Sequence, residues 1–139
     1  MADPNSQTSL PLQNLSSNQA IRLLGKVHNL NLNATGDNAF PIINATKYSV
    51  KDVVIANSSI TTTVSSAVLA IYPSPEAAGT AILSSADLSA ITGPTVIIDS
   101  APTVTTIQTA QVLYARVTVA QGAACTVDLL LYGYDLDVA

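Results

Sequence analysis

Charged side chains are scarce in this sequence. Its 139 residues include five Lys and Arg and nine Asp and Glu, so charged residues make up 10% of the chain, against roughly 25% in an average soluble protein. No basic residue occurs between Lys51 and Arg116. A surface that binds nucleic acid or anionic lipid needs a cluster of Lys and Arg. We therefore expect neither nucleic acid nor a membrane as a partner.

Side chains that perform catalysis or bind metals are equally few. The chain has one His (His28), one Cys (Cys125), one Glu and no Trp. Zinc needs several His or Cys ligands, and a Ser–His–Asp triad would have to use His28, which lies in a strand-like segment. We interpret His28 as a surface or edge-strand residue and Cys125 as a small buried residue. We expect no enzyme activity, no cofactor and no metal site.

Acidic residues close the chain at Asp135 and Asp137, with Asp128 upstream. Carboxylates of this kind suit calcium, but the spacing of an EF-hand loop is absent. We interpret them as a solvated acidic C-terminus, and a cation held at a symmetric contact between subunits is the alternative.

Branched aliphatic residues in alternation with polar ones predict strands along most of the chain. The predicted strands cover residues 21–27, 30–32, 40–43, 47–56, 60–72, 95–99, 103–107, 111–120 and 125–134. Residues 76–91 suit either a helical turn or a short strand, and we expect a loop with one helical turn around residues 86–91. Residues 35–38 (TGDN) indicate a turn. Seven to nine strands with short connections predict an all-β fold, a single antiparallel β-sandwich over residues 21–139.

The last two predicted strands have the clearest pattern. Gln121 and Gly122 stand between them, which predicts a hairpin with Gly122 at positive φ. The inward residues of the two strands are Leu113, Ala115, Val117, Val119, Cys125, Val127, Leu129 and Leu131. The outward residues Leu130, Tyr132 and Tyr134 are unusually apolar. They predict an interface, with the end of this strand covered on both faces.

Residues 1–20 are polar, contain two prolines and show no period of 3.6 or 2. We interpret them as an extended N-terminal arm. Its isolated leucines, Leu10, Leu12 and Leu15, suggest that the arm packs into a groove on its own domain or on a neighbour's. The first residues lack the basic start and apolar core of a signal peptide, so we expect synthesis in the cytoplasm.

Several segments of the second half resemble small virion proteins of tailed bacteriophages. They are residues 69–75 (LAIYPSP), 78–82 (AGTAI), 87–92 (DLSAIT), 113–118 (LYARVT), 120–124 (AQGAA) and 131–136 (LYGYDL). The resemblance spans residues 45–137, and in that group small jelly-roll or sandwich proteins serve as capsid decoration (cement) proteins, often as trimers.

The resemblance implies a jelly-roll-like sandwich and a structural, non-enzymatic role on the capsid surface of a virion. The implied partners are the major capsid protein and further copies of the chain in a homotrimer, made in the host cytoplasm. A receptor- or carbohydrate-binding sandwich module of a fibre or adhesin is the alternative. The lack of Trp argues against that alternative, because sugar sites present aromatic platforms.

Overall fold

The computed structural model describes residues 21–60, 66–88, 91, 95–99 and 106–137. Eight strands lie in this part of the chain, and no helix does. They are β1 (Arg22–Asn31), β2 (Gly36–Pro41), β3 (Tyr48–Ala56), β4 (Val68–Tyr72), β5 (Leu83–Asp87), β6 (Ile97–Asp99), β7 (Val112–Val119) and β8 (Thr126–Asp135). The all-β prediction is confirmed. The predicted arm, residues 1–20, lies outside the described residues.

The strands form two four-stranded sheets, with orders β1-β8-β3-β6 and β2-β7-β4-β5. Every pairing is antiparallel. One face of each sheet contributes to a common apolar core, as the sandwich-like prediction requires. On β8, for example, Val127, Leu129 and Leu131 are fully buried while the residues between them face outward.

The predicted hairpin of the last two strands is wrong. β7 pairs with β2 and β4, whereas β8 pairs with β1 and β3 in the other sheet. The connection between them crosses from sheet to sheet, and the Gln121 N–H donates to the carbonyl of Leu32 on the way. Alternation settles which side chains face the core but not which strand lies alongside. The positive φ of Gly122 is confirmed at 86°, while Val119, predicted inward, is 44% exposed.

Two local predictions also fail. Residues predicted as a helical turn from 86 onward begin inside β5, where Ala86 pairs with Leu69 of β4 and is buried. Residues 35–38, predicted as a turn, lie largely in β2, and the turn precedes them at residues 32–34. Pairing with a neighbouring strand overrides the intrinsic preferences of alanine and of a Gly-Asp pair. Of the predicted strand 103–107, residues 106 and 107 lie within the described part of the chain, and neither is in a strand.

The backbone of β3 leaves no room for a side chain at Gly133 of β8. A Cβ built on it lies 2.0 Å from the carbonyl oxygen of Ser49. The strand β3 carries a bulge between Val50 and Asp52 at this point, which brings its backbone over β8. Only glycine fits the β8 position.

Candidate functional site

Leu130, Tyr132 and Tyr134 share the outward face of β8, as the sequence predicts, and each is half-buried. The strand register extends this apolar area sideways. Leu23 of β1 stands opposite Tyr132, and Val54 of β3 stands opposite Leu130. We call these five side chains the β8 face. The predicted partners Leu10, Leu12 and Leu15 lie outside the described residues.

A carboxylate with one unpaired oxygen, that of Asp52, lies beside the β8 face. Asp52 stands opposite Tyr132, and its Oδ1 is shielded from solvent with no donor among the described residues. A buried carboxylate oxygen is costly unless a donor reaches it. Ile98, paired with Val54, is 61% exposed and continues the apolar area toward the edge of the sheet.

A second apolar surface lies at the end of the sandwich where β1 begins. Five exposed aliphatic side chains belong to segments that meet at this end. We call this surface the arm end. Its members are Ile21 (42% exposed), Ile43 (39%), Ile107 (60%), Val112 (41%) and Leu136 (40%). Sequence reasoning missed the surface, because these residues are scattered over the chain and only the fold brings them to one end.

Arg22 fixes the start of the domain at the arm end. Its Nη1 lies 2.9 Å from Oδ2 of Asp135, and the guanidinium also donates to the carbonyls of Ile43 and Asn44. One side chain thus ties the first strand to the last strand and to the β2–β3 connection. These contacts fix the position of Ile21, the first described residue, at this end of the domain.

Asp137 forms a second clamp at the same end. Its carboxylate accepts hydrogen bonds from the hydroxyl and the N–H of Thr46 and from the N–H of Lys47. These bonds, led by the Thr46 hydroxyl, lower the pKa of Asp137 below its ordinary value. Asp137 is exposed, as the interpretation of a solvated acidic C-terminus expects, but both Asp135 and Asp137 also bind other parts of the chain.

Tyr48 supports the arm end from inside. Its ring is fully buried, its hydroxyl donates to the carbonyl of Ala110 over 2.6 Å, and its backbone exchanges two hydrogen bonds with Gln108. Burial raises the pKa of Tyr48 to about 12. These bonds hold the segment that carries Ile107 and Val112.

The opposite end of the first sheet contains a polar network around Asp128. Oδ1 accepts from the N–H of Asn29 and lies 2.8 Å from Nδ1 of His28, and Oδ2 accepts from the amide of Asn57. The bonds, led by that from the Asn29 N–H, lower the pKa of Asp128. Asn29 and Asn57 both have φ of 56°, a conformation that asparagine tolerates better than most residues. The sequence signal is an aspartate between the apolar residues Val127 and Leu129.

His28 and Cys125 occupy the environments that the sequence predicts. The His28 side chain is 67% exposed on the edge strand β1. Cys125 is 3% exposed, with its Sγ 3.6 Å from the hydroxyl of Ser58.

The outward face of the second sheet carries an aromatic pair. Tyr72 of β4 stands opposite Tyr114 of β7, and both rings are half-buried. Next along β7, Arg116 forms a 2.9 Å ion pair with Asp37, which also accepts from the N–H of Glu76. The hydrogen bonds from Glu76 and Arg116, that from Glu76 first, lower the pKa of Asp37.

Comparison with protein-family models found none that matches the chain, and comparison with curated proteins found no match either. Within the described ranges, no group of three or more His, Cys, Asp or Glu side chains is placed to hold a metal ion. In the same ranges, no helix is long and apolar enough to span a membrane.

Proposed function

We propose that this chain is a structural, non-enzymatic protein of a phage virion, a capsid decoration protein that binds the major capsid shell as a homotrimer. The observation that carries the proposal is the β8 face. It presents a half-exposed apolar area, which a partner with a complementary apolar surface would bury.

The strand connectivity supports a jelly roll as the finer description of the fold. The antiparallel pairs are β1 with β8, β2 with β7, β3 with β6 and β4 with β5, so the strand numbers of each pair add to nine. This is the pattern of one long hairpin rolled into two sheets. Jelly rolls build capsid and lectin domains of viruses and other systems, which agrees with the resemblance of residues 45–137 to phage virion proteins.

The polar networks support a structural role for the ionisable residues. Asp128, the partner of His28, is also bound by Asn29 and Asn57, so its carboxylate is fully used in joining three segments. Arg22 and Asp135 likewise serve to hold the arm end together. These groups stabilise the fold and leave the apolar β8 face as the surface for a partner.

The test is binding to undecorated capsids of the virus that encodes the chain. The native protein and a Leu130→Ser/Tyr132→Ser variant are added at limiting concentration, and occupancy is measured after sedimentation. A Tyr72→Ser/Tyr114→Ser variant, altered on the other sheet, is the matched control. We expect the first variant to lose occupancy at least tenfold and the control to bind like the native chain. No binding by the folded native protein would overturn the proposal.

The homotrimer is tested on the same material. Light scattering in solution and the spacing of copies on the particle report the assembly state. A cyclic assembly covers apolar surface without open-ended growth. A monomer in solution together with single, separated copies on the capsid would refute this part of the proposal.

The Tyr72–Tyr114 pair beside Arg116 favours a second candidate function, carbohydrate binding in a fibre or adhesin. Aromatic rings beside an ion pair are suited to stacking on a sugar and hydrogen-bonding its hydroxyls. A glycan-binding assay on the native protein and on the Tyr72→Ser/Tyr114→Ser variant decides between the two. Glycan binding that is lost in the variant, with no capsid binding by the native chain, would establish this alternative.

A further inference from the structure

The arm end exposes more aliphatic surface than any other region of the described chain. The described residues include eight exposed large hydrophobic side chains, and five of them lie at the arm end. The other three are Val96, Ile98 and Val119. The contacts already described place the five together. Ile21 adjoins Arg22, which binds the Ile43 carbonyl and Asp135 next to Leu136, while Val112 and Ile107 flank the segment held by Tyr48. Such concentration marks a surface that another group covers.

The chemistry of the arm end restricts what covers it. Arg22 binds Asp135, and Asp137 accepts hydrogen bonds from Thr46 and from the backbone N–H of Lys47, whose side chain is exposed. Apart from this lysine, the surface presents aliphatic side chains beside charges that are already paired. A complementary segment contributes apolar side chains, because a charged one buried against them would lose water without gaining a partner.

Residues 1–20 are mostly polar but contain isolated apolar side chains of the kind required. No charged residue occurs between Asp3 and Arg22, and Leu10, Leu12 and Leu15 stand among Ser, Asn and Gln. The segment joins the domain at Ile21, itself a member of the arm end. Fully extended, its 20 residues reach roughly 66 Å, far enough to cross to a neighbouring molecule.

We infer that Leu10, Leu12 and Leu15 of one copy pack against the arm end of a second copy, so that arms pass from copy to copy around a closed assembly. This inference deepens the proposed function and rests on it for the association of copies. Every copy presents both an arm and an arm end, which are different surfaces, and a contact between different surfaces gives a ring where the rotation from copy to copy closes.

Cooperativity favours an arm that docks on a neighbouring copy over an arm that folds back on its own domain. Burying three leucines and ordering the residues that carry them have opposing free energies of similar size, so one arm docked alone gains little. In a ring, each docked arm holds the next copy in place and raises the effective concentration of the remaining contacts.

Disulfide trapping between separately purified chains tests the inference. Both chains carry Cys125→Ala. One also carries Leu12→Cys, and the other carries Ile43→Cys and an affinity tag that shifts its mass. After mixing and mild oxidation, we expect a covalent heterodimer of about twice 14.3 kDa on a denaturing gel. The matched control replaces Ile43→Cys by Val119→Cys, which is 44% exposed at the opposite end of the sandwich. We expect at least tenfold less heterodimer with the control.

Three results would overturn the inference. The first is equal trapping by both pairs, which would show unspecific contact. The second is no trapping by either pair. The third is an intrachain disulfide as the sole product of a single chain that carries both Leu12→Cys and Ile43→Cys, which would place the arm on its own domain. Capsid binding by the native chain is measured in parallel, so failed trapping with intact capsid binding refutes the arm contact alone.

Discussion

Nδ1 of His28 lies 2.8 Å from Oδ1 of Asp128, a contact that joins the paired strands β1 and β8 across 100 residues of sequence. The Asp128 carboxylate accepts two further hydrogen bonds, from the Asn29 N–H and the Asn57 amide. Asp128 is therefore the centre of the network, and His28 is one of three donors around it. The two residues have unequal importance for stability.

Asp128→Asn is expected to destabilise the fold by about 1–3 kcal/mol, because it removes the charge and turns one acceptor into a donor that faces other donors. Hydrogen bonds from Asn29, Asn57 and His28 lower the folded pKa of Asp128. The stabilisation is therefore present above the unfolded pKa of about 4 and is lost as pH falls through the lower folded value. Measured by denaturant unfolding between about pH 5 and pH 2, the free energy of unfolding should fall less steeply with decreasing pH in the variant than in the native chain. Equal slopes would contradict this prediction.

His28→Gln combined with Cys125→Ala is expected to leave particle binding unchanged. His28 is exposed on the edge strand β1 and bonds Asp128, beyond the Leu130 end of the β8 face, and Cys125 is buried. The cysteine substitution costs about 1 kcal/mol through lost packing. Capsid occupancy of the folded double variant is the measurement, with the native chain as reference. Complete loss of binding by a variant that still unfolds cooperatively would show that one of the two residues contacts the partner.

Tyr48→Phe is expected to destabilise the chain by about 1 kcal/mol, because the carbonyl of Ala110 loses its donor. Burial raises the pKa of Tyr48 to about 12, above the unfolded value of about 10. The protonated phenol therefore contributes stability that is fully present below about pH 10 and is lost as pH rises through about 12. Tyrosinate absorbance should show one late-ionising group in the native chain and none in the variant. Unchanged titration after the substitution would contradict the assignment.

The sequence predicts the buried side of the strands well. Val127, Leu129 and Leu131 occupy every second position of the strand, and this local pattern alone indicates which side chains enter the core. The sequence does not predict which strands pair with each other. β7 and β8 look like a hairpin because they are consecutive and similarly patterned, yet the chain between them crosses to the other sheet. Strand order depends on contacts between distant segments, which no local pattern contains.

The candidate sites divide in the same way. Leu130, Tyr132 and Tyr134 lie on one strand, so their common face follows from a period of two. The arm end is assembled from Ile21, Ile43, Ile107, Val112 and Leu136, which belong to separate segments. Pairs such as Arg22 with Asp135 link residues 113 apart, and their partners emerge only in the folded chain.

Gly133→Ala is expected to destabilise the fold by about 3 kcal/mol or more, since its Cβ would lie 2.0 Å from the Ser49 carbonyl oxygen and the backbone of β3 has to move. Gly122→Ala is the matched control. Nothing lies near its Cβ, so the φ of 86° is the single source of strain, about 1 kcal/mol. Denaturant unfolding of both variants checks that Gly133→Ala loses more stability than Gly122→Ala. A smaller effect at Gly133 than at Gly122 would mean that the close approach of β3 and β8 is not as described.

Deletion of residues 1–18 is expected to leave a folded sandwich with weakened assembly and capsid attachment. Full burial of Leu10, Leu12 and Leu15 contributes roughly 4–9 kcal/mol, while ordering costs about 1–2 kcal/mol for each residue fixed. These opposing quantities nearly cancel for one arm, so the arm contributes where several copies act together.

The truncated chain, the native chain and a full-length Leu10→Ser/Leu12→Ser/Leu15→Ser variant are added to undecorated capsids, and occupancy and the heat resistance of the particles are measured. The triple variant keeps the length and the polar residues of the arm, so it isolates the leucines. We expect it to behave like the truncated chain, because the arm's remaining residues offer little apolar surface to bury. Equal occupancy of all three proteins at limiting concentration, with equally heat-resistant particles, would show that the arm makes no assembly contact.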